Sequence, residues 1–329
     1  MRAAVLLISC LLAPAALADD PPPFEAWLAE LIDEARGRGY SDELVGAALA
    51  DLTPIERVIQ SDRSQAEVKL TFERYYRARV TPRVVARGRE MASRHRTLLR
   101  RIERDYGVQG RFLLAVWGFE SRFGANSGRT PVFQALATLA WEPRRSSFFR
   151  AQLFDALTMV RAGYIDVATM RGSWAGAMGQ PQFMPSSYLE FAVDYDGDGR
   201  RDIWTSTPDV LASIANYLKA AGWNGEWTWG REVRIPPRAR GRIAKSVPAR
   251  TASCFARRDM SQWRPLARWQ ELGVRRADGG ALPSAGIDAA LVTAGGRRFL
   301  TYRNYDALLS YNCAHHYALG VAMLADRLR

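Results

Sequence analysis

The chain is short of lysine. Of its 46 basic residues, all but Lys69, Lys219 and Lys245 are arginine. It is also short of histidine and cysteine, with three of each in 329 residues. His315 and His316 are adjacent, which is not metal-ligand spacing, and no Ser–His–Asp or His–Cys constellation stands out. No GxGxxG follows a strand pattern and no phosphate loop is present, so nucleotide chemistry has no support. After residue 12 nothing resembles a membrane helix. Internal repeats and low-complexity tracts are absent. What the chain does have is 48% hydrophobic residues, with ten Trp, twelve Tyr and thirteen Phe. That composition argues against disorder and for a real core, in one large domain or two smaller ones.

Residues 1–18 read as an export signal rather than as part of the fold. Arg2 is followed by an apolar run from Val5 to Leu12, too short to span a bilayer, and Ala16-Leu17-Ala18 has the small-x-small form of a cleavage site. Cleavage after Ala18 places the protein in the periplasm. The competing reading takes Leu7-Ile8-Ser9-Cys10 as a lipoprotein signal with Cys10 lipidated. Losing residues 1–18 removes Arg2 and no acid, so the net charge falls from +12 to +11. The arginines are spread along the chain, which describes either a solvated basic surface or attraction to a polyanion. For an exported protein that polyanion is cell wall or anionic lipid rather than nucleic acid. Cys254 and Cys313 would then remain as an even pair, either one disulfide or two buried thiols.

Helical periodicity runs through residues 24–105, with Ser41 as N-cap of a helix over 42–50 and further helices over 65–79 and 82–106. Residues 111–120 look like a buried helix ended by the turn Gly124-Ala125-Asn126-Ser127-Gly128. Helices follow over 131–140, 146–161 and 207–221, separated by a Gly-, Pro- and Ser-rich stretch at 171–187. After Gly225 the composition changes. Glu232–Ile235 and Phe299–Tyr302 read as strands within a small β-containing insert, 225–302. A last helix runs from about Asn312 to Leu328.

Four segments carry chemistry. In Trp117-Gly118-Phe119-Glu120-Ser121-Arg122-Phe123-Gly124 a glutamate sits in the last turn of an apolar helix. Burial among aromatics and the negative end of the helix dipole both disfavour its charged form. A carboxylic acid held neutral is what protonation of a glycosidic oxygen requires. A glutamate facing solvent at a helix end is the plain alternative. The stretch from Gly172 to Ser187 combines small residues, which let backbone approach a ligand, with Gln182, suited to sugar hydroxyl or acetamido groups, and the apolar walls Phe183 and Met184. Asp194-Tyr195-Asp196-Gly197-Asp198-Gly199-Arg200-Arg201-Asp202 has the D-x-D-x-D-G opening of a Ca²⁺ loop. Its ligands would be Asp194, Asp196, Asp198, the Arg200 carbonyl and Asp202. Thr205 stands at the twelfth position in place of the usual Glu, so Asp209 is the residue available to close a structural Ca²⁺ site. Tyr311-Asn312-Cys313-Ala314-His315-His316-Tyr317 offers tyrosines that could stack on sugars and an amide that could bind one; alone it is equally a helix start with aromatic core residues.

In this order and spacing the four segments resemble the soluble and membrane-bound lytic murein transglycosylase B family, from about residue 65 to the C-terminus. The pairing of Gly176-Ala177-Met178-Gly179 with Gln182-Phe183-Met184-Pro185-Ser186-Ser187, just before the Asp-rich loop and Ile203-Trp204, is the most specific part. The resemblance implies a mainly α (α+β) protein with a lysozyme-like helical core over 106–224, completed by 303–329. An N-terminal helical region (19–105), an EF-hand-type Ca²⁺ loop and the insert would surround that core. It implies cleavage of the β-1,4 bond between N-acetylmuramic acid and N-acetylglucosamine, leaving 1,6-anhydromuramic ends. Glu120 would be acid and then base. Ser173, Gln182, Phe183 and Met184 match cleft positions of the family, as do Tyr217, Tyr311, Asn312 and Tyr317. Arg144 and Arg145 match a pair near acidic muramyl or peptide groups. Tyr75 matches less firmly, because Tyr76 beside it blurs the register.

The implied partners are peptidoglycan glycan strands and other cell-wall enzymes, with the protein a monomer that binds no nucleic acid and needs no organic cofactor. Residues 225–302 have no position-by-position match, and a separate wall-binding module is not expected after Arg329. Two other readings stay open: a lysozyme-type muramidase giving reducing ends, and a non-catalytic wall-binding protein on the same fold.

Overall fold

The computed structural model describes residues 21–64 and 70–329; residues 1–18, expected to be an export signal, and Cys10 lie outside them. The protein is mainly helical with one small sheet, and its helices begin where the sequence supplies caps. Ser41 accepts from the Leu44 amide and Thr71 from Arg74. Thr81 accepts from Val84, with Pro82 at the first helical position, where its missing N–H costs nothing.

Three cores organise the chain. The first surrounds the helix Gly110–Ser121, in which every residue from Phe112 to Phe119 is buried. A helix apolar on all sides must be wrapped on all sides. Here the wrapping comes from Pro82–Arg94, Arg96–Tyr106, Thr207–Ala220 and the terminal helix His315–Arg327. The second core packs Phe24–Gly37 and Asp42–Leu49 against Val132–Trp141 and Ser146–Arg161. The N-terminal helices are thus divided: residues 24–58 serve the second core and residues 72–102 the first. The third core lies under a five-stranded antiparallel sheet in the order Arg264–Pro265, Asp288–Ala294, Arg297–Thr301, Gly230–Arg234, Arg275–Arg276. Trp269, fully buried, fills its centre and donates from Nε1 to the Ala289 carbonyl at 2.9 Å.

Three elements differ from the periodicity; the helix expected over 65–79 begins, among the described residues, only at Phe72. The arginine-rich stretch expected as one helix over 82–106 breaks at His95 into two. The closing helix begins only at His315, because Asn312 and Ala314 are extended and end a separate helix, Arg303–Tyr311. Between them Cys313 is bonded to Cys254 (Cα–Cα 5.8 Å), tying this turn to the insert.

Candidate active site

Glu120 is the penultimate residue of Gly110–Ser121 and is half-buried. The chain leaves that helix through three consecutive left-handed residues, Arg122 (φ 53°), Phe123 (φ 60°) and Gly124 (φ 81°). For Arg and Phe this conformation is costly, and strain of this kind survives only where the surroundings fix it. Phe123 provides the fixing: its ring tip fills the space that side chains at Gly118 and Gly88 would occupy.

Two phenols face Glu120. The buried Tyr317 hydroxyl has no partner at full hydrogen-bond geometry among the described residues. Burial first, then the Glu120 charge and an imperfect hydrogen bond to it, push this phenol well above its ordinary range. Tyr311 is raised likewise, by burial and then by Glu120, and donates to the Pro181 carbonyl at 2.7 Å. From Tyr311 an aromatic wall extends through Tyr217 (centroids 4.7 Å) and Phe183 (5.9 Å). Tyr217 is pinned by donation to the Ser310 carbonyl at 2.7 Å. Tyr75 is buried and stacks on His316 at 5.5 Å. Asn312 occupies the turn between the two C-terminal helices, beside Tyr311.

The Gly-rich stretch forms a tight loop rather than a helix. Met178 and Phe183 exchange both backbone hydrogen bonds, at 2.7 and 3.0 Å. Ser173 Oγ accepts from the amides of Ala175 and Ala177, so this hydroxyl shapes its own loop. Gly179 has φ 63°, and a Cβ there would sit 2.6 Å from the Ile203 carbonyl oxygen, which only glycine avoids. Gln182 is also left-handed (φ 53°) and donates from Nε2 to the carbonyls of Ser127 (3.0 Å) and Gly179 (2.8 Å). Its amide nitrogen is therefore committed, and the carbonyl oxygen is what the side chain offers a ligand. Met184 precedes the helix Pro185–Phe191 as its N-cap residue.

The residue the sequence reading passed over is Gln180. Buried at 8% exposure, it accepts from Trp117 Nε1 at 2.7 Å and donates from Nε2 to the Trp204 carbonyl at 2.7 Å. It thereby joins the Glu120 helix to the Gly-rich loop and to the end of the acidic loop. Its presence in the motif was visible; its role was not, because the partners are 63 and 24 residues away.

Arg144 and Arg145 both bind the carboxylate of Asp62, which is 2% exposed. Arg144 donates from Nε at 2.7 Å and also to the Asp62 backbone carbonyl at 2.8 Å. Despite its burial, these hydrogen bonds and charges hold the Asp62 carboxyl below the usual carboxylate range. Asp62 carries no motif, and no sequence signal pointed to it.

In the acidic loop, carboxylate oxygens of Asp194, Asp196 and Asp209 lie within 4.8 Å of one another. Asp209 is fully buried, and burial pushes its carboxyl up although the amides of Tyr195 and Asp202 donate to it at 2.8 Å. Asp198 and Asp202 are turned to the loop itself: Asp198 accepts from the Arg200 amide, and Asp202 from the amides of Trp204 and Thr205. Arg200 lies exposed in the same loop.

Comparison with known proteins places this arrangement. The family model "Transglycosylase SLT domain" matches residues 23–326. The membrane-bound lytic murein transglycosylase B of Escherichia coli is 33% identical over 259 residues, covering 77% of this chain and 66% of that protein, just under two thirds of its length. SltB3 from Pseudomonas aeruginosa, solved with NAG-anhNAM-pentapeptide and with NAG-NAM-pentapeptide, superposes with a TM-score of 0.83 at 38% identity, covering 93% of this chain and 79% of that one. The Escherichia coli transglycosylase Slt35 in complex with calcium gives 0.76 at 26% identity over 92% of each chain. No helix among the described residues is long and apolar enough to cross a membrane.

Proposed function

The chain belongs to the transglycosylase SLT family, and from that premise we propose that it is a peptidoglycan lytic transglycosylase, with Glu120 as acid and then base. The observation that carries the assignment is the placement of Glu120 at the end of a buried helix, facing Tyr311 and Tyr317, with Gln182 on the adjoining loop. Glu120 is the one carboxylate whose charge acts on both phenols. The acids Asp194, Asp196 and Asp209 are grouped separately. Most glycosidases need two carboxylates flanking the bond. A single one suffices when the substrate supplies its own nucleophile. Glu120 gives its proton to the leaving glycosidic oxygen as that bond breaks. It then accepts the proton of the muramyl C6 hydroxyl as that oxygen bonds to C1, closing the 1,6-anhydro ring. No water is consumed, and Glu120 ends as it began, protonated.

The carboxylates of Asp194, Asp196 and Asp209 are hard oxygen donors of the kind Ca²⁺ prefers, and the Arg200 carbonyl of the same loop is the further donor the loop pattern supplies. Asp198 and Asp202 fix the shape of the loop by accepting from the amides of Arg200, Trp204 and Thr205. The ion would supply charge neutralisation that fixes the loop, not chemistry at the sugar. The disulfide Cys254–Cys313 and the sequence signal at 1–18 support export, and a wall substrate places the enzyme in the periplasm.

Digestion of purified sacculi followed by mass analysis tests the reaction. Anhydromuropeptides, lighter by one water than the reducing-end products of a muramidase, are expected. Glu120→Gln is expected to keep the fold and lose about three orders of magnitude or more in rate. Near wild-type lysis by that variant would falsify the assignment, and reducing ends would identify a hydrolase instead.

A further inference from the structure

The helix Arg96–Tyr106 turns Leu99 and Ile102 into the first core and arginines outward. Arg96, Arg100 and Arg104 follow one another at intervals of four, with Arg101 beside them, and all four are exposed. Residues four apart share a helix face, and like charges at that spacing repel. Arg96 also opens the helix, where the dipole is positive, and no acid stands in the first turn. His95, ahead of it, makes no side-chain capping bond. Folding alone disfavours this placement of charge.

The acids of the segment are engaged by other donors. Glu103 Oε2 accepts the Gly110 amide at 3.2 Å. Asp105 accepts the Tyr195 hydroxyl at 2.7 Å, and its ion pair with Arg104 leaves that side chain 72% exposed. Arg96 and Arg100 make no ion pair with any described residue. Arg101 lies over the Tyr195 ring at 4.5 Å, which holds it at the margin of the row. The half-buried His95 sits in the same field: burial first, then the charges of Arg94 and Arg87, hold its imidazole below the ordinary range.

This face has neither a groove nor an apolar patch. The large exposed hydrophobics among the described residues, Phe148, Tyr164 and Phe255, lie elsewhere. The cavities bordered by Phe123, by Leu282 and by Trp229 take no wall from this helix. A polymer strand is gripped in a groove, whereas a bare row of cations fits a flat anionic surface. Guanidinium forks bind phosphate oxygens two at a time. About four arginines on one amphipathic helix is the density at which anionic lipid is held.

We propose that Arg96, Arg100, Arg101 and Arg104 dock this face on an anionic phospholipid bilayer, by charge alone and without insertion. Docking lays the helix along the headgroups, and salt reverses it. The inference is independent of the reaction at Glu120.

Flotation with two kinds of vesicle tests it: phosphatidylcholine alone, and phosphatidylcholine with phosphatidylglycerol in equal parts. At low salt the wild-type protein is expected to bind the anionic vesicles about a hundredfold or more tighter than the neutral ones, and to lose most of that margin at about 1 M salt. Replacing Arg96, Arg100 and Arg104 together by Gln, itself a good helix former, is expected to weaken anionic binding about thirtyfold or more; Arg100→Gln alone should cost about fivefold. The triple variant should unfold no earlier than wild type, because the repulsion along the helix is relieved. Lysis of lipid-free sacculi should not change. A control with Arg238, Arg240 and Lys245 replaced by Gln, exposed positions on Pro237–Ser246, removes the same charge from another surface and should cost about threefold or less. A wild type that binds both vesicles alike overturns the proposal. Equal losses in the two triple variants overturn it too, since net charge and not this face would then be responsible. If the first triple variant loses binding to sacculi but keeps the vesicles, the face belongs to wall polymer instead.

Discussion

The indole of Trp117 donates to Gln180 Oε1 at 2.7 Å, and this single bond connects the helix that carries the acid to the loop that carries Gln182. Gln180 uses its remaining groups on residues at the end of the acidic loop: its amide reaches the Ile203 carbonyl at 2.8 Å, and Nε2 reaches Trp204. The helix of Glu120, the Gly-rich loop and the acidic loop are held in register by one buried side chain.

Gln180→Leu removes both side-chain bonds and strands the buried Trp117 N–H and Trp204 carbonyl. Each orphaned buried group costs about 1–3 kcal/mol. We expect a loss of about 2–5 kcal/mol in denaturant unfolding, together with a fall in kcat larger than any rise in KM, because the acid and the loop lose their mutual placement. A variant with wild-type stability would show that Gln180 is not the connecting element.

How far the sequence reached follows from where the partners lie. The acid, the Gly-rich loop and the Asp-rich loop are each contiguous, so their residue types and spacing declare them. Ser41 as a cap and the strands near 232 and 299 are local signals too, and they stand where the pattern puts them. Gln180 and Asp62 act across 24 to 83 residues of chain, and periodicity is blind at that range. The break at His95 escaped for a different reason: arginine is a good helix former, and the run offers neither Gly nor Pro at the break.

The acidic loop gives a metal-dependent prediction. Saturating Ca²⁺ at about a hundred times its dissociation constant is expected to stabilise the protein by about 2.7 kcal/mol. For a chain of this size that is a rise in Tm of about 4 °C. Asp194→Asn should lose most of the rise, since Asp194 belongs to the oxygen cluster and also accepts the amides of Gly197, Asp198 and Gly199. Differential scanning calorimetry with and without chelator reads both. An unchanged Tm in wild type removes the metal from the account.

The disulfide makes a redox prediction. Cys254 and Cys313 are 59 residues apart, and closing a loop of that length restrains the unfolded chain by about 4 kcal/mol. Cys313 also adjoins Asn312 and stands four residues before Tyr317. Cys254→Ser with Cys313→Ser should lower Tm by about 6 °C and raise KM for glycan more than it lowers kcat, because the turn bearing Tyr311 and Asn312 loses its tether. Equal Tm values for the oxidised and double-serine proteins would rule out a stabilising bond.

His315 predicts the acid limb of stability. Its ring is largely buried, with Nδ1 2.9 Å from the Tyr305 hydroxyl and Nε2 buried without a partner among the described residues. Burial drives its pKa from 6.5 down to about 4, against the pull of Asp259 and the Ala256 carbonyl. The folded state thus refuses a proton that the unfolded chain accepts below pH 6.5. Stability must fall as the pH drops from about 6.5 to about 4 and then level off for this group, since both states are protonated there. The full difference is worth about 3 kcal/mol. In His315→Asn, urea unfolding at pH 4.5 and pH 7 should differ by about 2 kcal/mol less than in wild type. The same acid slope in both proteins would show that other groups carry it.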